Sequence, residues 1–269
     1  MLIAGLFFTL MNVGVKYIHN IPAYEIVFFR ALVSLVVCYI MLVQKKIHPW
    51  GNNKRDLIFR GIFGTAGLMM YFYTIHEMPL ASAVTIQYLS PIFTIIIAGF
   101  MLKESPRPIQ YLFFLVSFTG VVMIKGFDPR VSIADLVIGV SAAVCSGFAY
   151  NFIRKLKSTD DPLVVVLYFP LVTVPVIGIY TAFHWVTPNA IEWMILIAIG
   201  LATTVAQIYM TKAYQLEKAS NVSNFNYLGS VYAVLIGYFF FGEYIGLLAL
   251  LGIVLIIVGV LLSSRFRTQ

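Results

Sequence analysis

Apolar residues along this chain neither alternate nor return every third or fourth position. They run on, with no polar face, for roughly 17 to 23 residues at a time, enough to cross about 30 Å of hydrocarbon. Ten such runs are separated by short links, several marked by Pro or Gly, such as Lys103–Pro108 and Asp160–Pro162. They lie near Met1–Tyr17, Ala23–Val43, Leu57–Ile75, Leu80–Leu102, Pro108–Ile124, Ser132–Ile153, Leu163–Phe183, Trp193–Tyr214, Asn221–Phe241 and Tyr244–Leu262. All ten are predicted to be helices. Lipid offers no water to unpaired backbone groups, and the runs are too long for barrel strands.

The pattern repeats itself. A constant shift of 139 residues pairs Tyr88 with Tyr227, Gln87 with Asn226, Phe100 with Phe239 and Glu104 with Glu243. The same shift, with no gap, pairs Asn12 with Asn151, Lys16 with Lys155, Gly61 with Gly200 and Gly120-Val121 with Gly259-Val260. An echo of this extent is an internal duplication. It predicts two repeats, 1–125 with spans 1–5 and 132–263 with spans 6–10. Five is odd, so the second copy enters the membrane in the opposite sense. The expected fold is an all-α integral membrane protein of ten transmembrane helices in two inverted five-helix repeats, an arrangement many secondary transporters share.

Composition agrees. Of 269 residues, 61% are hydrophobic and 11% charged, against about 25% charged in a soluble domain. The net charge of +7 comes with no nucleic-acid-binding motif, so no nucleic-acid partner is expected. Cys38 and Cys145 sit singly in apolar runs without metal-ligand spacing. The opening MLIAGLFFTLMNVGV lacks a basic n-region and a small-residue cleavage site, so it is expected to be a retained first span. Loop charge sets the orientation. With the N-terminus inside, fourteen Lys and Arg fall at inner ends, Arg60 and Arg154 counted among them, against Lys16, Lys125 and Arg130 outside. Both termini are therefore expected in the cytoplasm, and the chain in an inner (plasma) membrane as a multi-pass protein.

The ten runs, the matched segments YLSP…LKE and YLGS…FGE, and Arg30 within FFRALVSL together resemble the EamA-like family of the drug/metabolite transporter superfamily, over nearly the whole chain. The resemblance implies a transporter with a central cavity lined mainly by spans 1–4 and 6–9, with spans 5 and 10 peripheral. It implies small organic metabolites as cargo, amino acids foremost, moved outward by alternating access. An anionic-metabolite or nucleotide-sugar type carrier, or a non-transporting assembly or flippase component, are the alternatives. Cofactors, metals and catalysis are not expected. His76-Glu77 lacks the second histidine of a zinc-protease motif, because Leu80 holds that place, and no phosphate-binding GxxxxGK[ST] loop occurs. The expected partners are a small-molecule substrate and membrane lipid, with a homodimer allowed.

The candidate lining follows from polar residues inside apolar runs, which must find partners away from lipid. Arg30, about seven residues into span 2, is an intramembrane charge and so a functional candidate by default. Its planar fork suits a carboxylate or phosphate, though tying its helix to neighbouring carbonyls is the competing role. Gln87, Pro91 and Thr94 mark one face of span 4, where Pro91 would kink the helix or free a carbonyl as a site. Ser223, Asn226 and Ser230 mark span 9. Gln207 and Thr211 lie one turn apart on span 8. Asn12 and Asn151 form a repeat-related pair suited to two gates or to interhelical bonding. Among the tyrosines, Tyr71, Tyr73, Tyr150, Tyr227 and Tyr232 stand at wall positions. Tyr71, Gln87, Gln207 and Asn226 are expected to border one space. Glu104 and Glu243 close spans 4 and 9 and are expected to cap the helix that follows. No carboxylate lies in the middle of any span.

Overall fold

The computed structural model describes residues 1–18, 20–77, 80–104, 107–125, 132–241 and 246–266; Glu243 and the outer-loop Arg130 lie outside them. Among the described residues the structure is helical, without strands. Helices are found on every predicted run. They are α1 Leu2–Tyr17, α2 Ala23–Gln44, α3 Lys54–Glu77, α4 Leu80–Gln87, α5 Ser90–Met101, α6 Pro108–Lys125 and α7 Ile133–Lys155. α8 Pro162–Phe183, α9 Ala190–Leu216, α10 Ala219–Ser223, α11 Leu228–Phe241 and α12 Leu247–Arg265 complete the chain. Five of them (counting α4 and α5 together) are long and apolar enough to cross a membrane by length and composition.

Spans 4 and 9 are not continuous helices. Span 4 breaks at Tyr88-Leu89 between α4 and α5. Span 9 passes through a 3₁₀ segment, Asn224–Tyr227, between α10 and α11. Tyr88 and Tyr227 are repeat counterparts, so the two interruptions fall at the same place in the two copies. In span 4 the physical cause is Pro91, which cannot donate to the Gln87 carbonyl one turn back. It sits instead in the first turn of α5, where its missing N–H is no loss. The expected kink is a restart.

Several helix starts are capped by nearby side chains. Asn53 accepts from Asp56 N–H and donates to the Asp56 carboxylate. Asn189 accepts from Ile191 and Glu192 N–H while Glu192 accepts from Asn189 N–H. Ser132 and Asp135 do the same for α7. These reciprocal boxes satisfy first-turn donors that have no partner within the helix.

Cα packing divides the chain into two compact units, Met1–Leu2 with Ala66–Asn151 and Glu217–Gln269, and Ile3–Thr65 with Phe152–Leu216. Each draws on both predicted repeats. In the first unit the counterparts α6 and α12 pack reciprocally. A Cβ on Gly120 would stand 2.9 Å from Ile256 and one on Gly259 2.2 Å from Ser117, and the shift of 139 pairs Ser117 with Ile256 and Gly120 with Gly259. Only glycine admits that approach. A core of Ile95, Phe114, Tyr227, Ile256 and Val260 lies alongside. Leu247, Leu248, Leu251, Val254 and Leu261 of α12 are exposed, the surface expected of a helix facing lipid.

In the second unit the counterparts α2 and α8 pack together, and α2 also packs on α9. Ile26 and Phe29 share a cluster with Leu196 and Ile199. A Cβ on Gly200 would stand 2.4 Å from Val33, and Ser34 bonds Thr204. Residue numbers rise together along both helices, so α2 and α9 run parallel. A Cβ on Gly61 would meet Val172 at 2.6 Å and the Tyr168 carbonyl at 2.8 Å, so α3 and α8 are also close.

Candidate functional site

In the first unit, the two interruptions bring tyrosines together. The rings of Tyr88 and Tyr227 lie 6.0 Å apart, Tyr71 from α3 neighbours Tyr88, and the Tyr88 hydroxyl faces Gly229 on α11. A Cβ on Gly229 would stand 3.1 Å from that hydroxyl, so glycine there makes room for it. Gln87 Nε2 donates to Ser146 Oγ on α7 at 3.0 Å. Asn151 Nδ2, further along α7, donates to the Thr94 carbonyl at 2.8 Å, while the Thr94 hydroxyl donates to the Ser90 carbonyl in its own helix.

Polar groups are left over in this region. Gln87 Oε1, Asn151 Oδ1, Asn224 Oδ1, Tyr227 OH and Ser230 Oγ are all buried and meet no hydrogen-bond partner. Each such group costs about 1–3 kcal/mol if it stays unpaired, so those beside the two interruptions are candidates for a ligand to satisfy. Tyr150 and Tyr232 are half-buried and Tyr73 is exposed. Asn226, half-buried, sits in the 3₁₀ segment itself. At the end of span 4, Glu104 accepts from Ala219 N–H at 3.1 Å. It therefore caps α10, the start of span 9, and not the helix that follows it in sequence. The left-handed Lys103 (φ 55°) turns the chain to allow this, and its counterpart in the other repeat is Gly242.

The second unit holds Asn12, Arg30, Gln207 and Thr211 of the predicted lining. Asn12 is exposed, unlike its buried counterpart Asn151. Ser34 and Thr204 hydroxyls lie 2.6 Å apart, and since Thr204 donates to Gly200 O, Ser34 is the donor between them. One turn further along α9, Gln207 Oε1 accepts from Arg60 Nη2 at 3.1 Å. Arg60 also lies over the Phe169 ring, 5.0 Å from its centroid, and Phe169 is the repeat counterpart of Arg30. Thr211 Oγ1 is buried without a partner.

Arg60 and Arg154, counted among the inner-end cations, are both buried. Arg154 donates to the Tyr214 and Gln215 carbonyls at the end of α9, where a cation meets the negative end of the helix. The available signal for Arg60 was its distance into α3, four residues beyond the Asp56 that opens the helix with Asn53. Tyr88 and Ser146 carried no sequence signal beyond the Tyr88–Tyr227 repeat pair. Of the four residues expected to share one space, Tyr71, Gln87 and Asn226 fall in the first unit and Gln207 in the second.

An all-α protein with membrane-length helices, two of its spans broken at matched places beside unsatisfied polar groups, is an integral membrane protein of the solute-carrying class. The chain belongs to the EamA-like transporter family, whose family model matches residues 1–126 and again 133–265. Among its relatives, the pseudopaline exporter CntI of Pseudomonas aeruginosa is 31% identical over 98% of this chain and 94% of its own length. Human solute carrier family 35 member G1 is 30% identical over 89% of this chain and 73% of its own. The S-adenosylmethionine uptake transporter of Rickettsia conorii is 24% identical over 90% and 83%. A solved crystal structure shares the fold with a TM-score of 0.87 at 17% identity, covering 97% of this chain and 95% of that one.

Proposed function

We propose that this chain is a secondary transporter that moves small organic metabolites, amino acids and related solutes among them, outward across the inner membrane by alternating access. The observation that carries the reading is the pair of helix interruptions at Tyr88 and Tyr227, with the orphaned Gln87 Oε1, Tyr227 OH and Ser230 Oγ around them. Discontinuous helices at corresponding positions of two halves are where transporters of this architecture hold cargo, since a broken helix frees backbone and side-chain groups for a ligand.

The inverted arrangement draws support from the reciprocal α6–α12 contacts, which pair residue 120 with 256 and 117 with 259. An antiparallel contact of that kind is what a two-fold axis across the helices generates, and the Tyr88–Tyr227 ring contact is the matching self-contact. Counting α4 with α5, and α10 with α11, as one span each makes ten crossings. Without Arg60 and Arg154 the loops still hold twelve inner cations against three outer, which favours both termini in the cytoplasm. Export is favoured by the near-complete coverage of the exporter relative.

The test is a comparison of small molecules in the medium and cytoplasm of cells with and without the protein, followed by reconstitution in liposomes with each solute that changes. At least one metabolite should accumulate outside and leave loaded vesicles only when the protein is present. If no solute leaves protein-containing vesicles faster than empty ones, the proposal is wrong.

A further inference from the structure

Three arginines are buried in the second unit, and the protein treats them differently. Arg60 is met by Gln207 and Phe169, and Arg154 by two helix-end carbonyls. Arg30, 6% exposed on α2, has one hydrogen-bond partner among the described residues: Nη1 donates to the Met11 sulfur at 3.6 Å. A thioether is a weak acceptor; an orphaned Nε is common to Arg30 and Arg60, and what sets Arg30 apart is that its terminal nitrogens meet no oxygen acceptor among the described residues. No carboxylate among the described residues pairs with it. Glu25, the acid nearest in sequence, accepts from Val186 N–H instead. Apolar neighbours crowd the same stretch, Ile26 and Phe29 packing with Leu196 and Ile199.

A guanidinium withdrawn from water without a counter-charge is among the most unfavourable arrangements a fold can hold, and supplying the missing anion relieves it. The competing role for Arg30, tying its helix to carbonyl groups, has no bond to rest on. We infer that Arg30 is the anchor for a substrate carboxylate, so that the cargo of this transporter is a carboxylate-bearing solute. This rests on the transport reading above and specifies its substrate class.

The choice of carboxylate over phosphate follows from charge. One guanidinium balances one negative charge, and its fork accepts both carboxylate oxygens. The other unit-buried guanidinium that could share a dianion is Arg60. Along the parallel pair α2–α9, Arg30 lies one turn before the Ser34–Thr204 contact and Arg60's partner Gln207 one turn after it. At 1.5 Å per residue, Arg30 and Gln207 start about 10 Å apart along the helices, and the Arg60 guanidinium is already engaged by Gln207 and the Phe169 ring. The apolar surround strengthens a charge-assisted pair by excluding water.

The purified full-length protein tests this without a known substrate. Succinate, succinamate and succinamide are close in size and carry two, one and no carboxylates. Thermal unfolding is followed with each, and with methyl phosphate, at equal concentration and constant ionic strength. Succinate and succinamate should raise the melting temperature, succinamide should not, and methyl phosphate should do so less than succinamate. Arg30→Lys keeps the charge and loses the fork, so the apparent affinity for succinamate should fall about tenfold. Arg60→Gln should leave the preference for carboxylates in place. Should the Arg30 variant fail to fold, the series on the unaltered protein still decides. Equal shifts for succinamate and succinamide overturn the inference, and so does a preference abolished by Arg60→Gln but kept by Arg30→Lys. Vesicles that move no solute while carboxylate binding persists would defeat the transport reading alone.

Discussion

At the scale of single residues, the side chains at the span ends turn out to work across sequence-distant elements. Glu104 was legible as a capping residue, because a carboxylate at a span end favours a helix N-terminus. Which terminus it caps was not, since Ala219 lies 115 residues away. Replacing Glu104 by Ala should lower stability by about 1 kcal/mol, read as an earlier thermal transition of the purified protein. An unchanged transition would mean that the Glu104–Ala219 bond contributes nothing. Arg60 shows the opposite situation. Its position near an end of its run placed it among the loop cations, yet neighbours on α8 and α9 bury it. Burial of a long side chain depends on what packs over it, which residue type and spacing do not encode.

At the scale of elements, Pro91 is the residue whose role changed most between pattern and structure. Pro in an apolar run announces a disturbance, and the structure makes it the start of a second helix. Pro91→Ala restores a donor for the Gln87 carbonyl and should join α4 to α5. Transport should then drop roughly tenfold while the thermal transition holds or rises, because the loss would lie in a conformational step and not in folding. Full transport by this variant would show that the interruption is dispensable. The matching interruption in span 9 has no proline: Ser230 stands at the repeat counterpart of Pro91. There Asn224 donates to the Gly259 carbonyl on α12, a tertiary contact that helps hold the 3₁₀ segment. The α6–α12 pair supplies a second test. Gly259→Ala would place a methyl 2.2 Å from Ser117 Oγ and 2.9 Å from the Phe113 carbonyl, and overpacking of this kind costs about 1–3 kcal/mol. Adding Ser117→Ala should recover part of the loss, and no recovery would locate the strain in the backbone contact.

At the scale of the whole molecule, the orientation remains a property of the charges. In a variant lacking Cys38 and Cys145, an impermeant thiol reagent added outside cells should label Thr187→Cys, in the exposed link between α8 and α9. It should spare Asn52→Cys, in the link between α2 and α3, until the membrane is opened. The reverse labelling would invert the topology and with it the assignment of export to this geometry. The two packing units are a second whole-molecule property, and they cut across the sequence repeats by dividing α3 and α7 between them.

What the amino-acid sequence determined alone is everything that depends on local solvation and on duplication. Long apolar runs can satisfy their backbones in lipid only as helices, and the constant shift of 139 residues made the halves comparable position by position. That shift also brought Tyr88 and Tyr227 forward as counterparts before their rings were seen to touch. Tertiary structure decided which polar groups find partners. Gln87 and Ser146, Asn151 and Thr94, and Ser34 and Thr204 are joined by packing between helices far apart in sequence. The same packing leaves Arg30 with a sulfur atom and Tyr227 with nothing. A sequence shows that a buried polar group needs a partner; only the fold shows which groups are left for a ligand to satisfy.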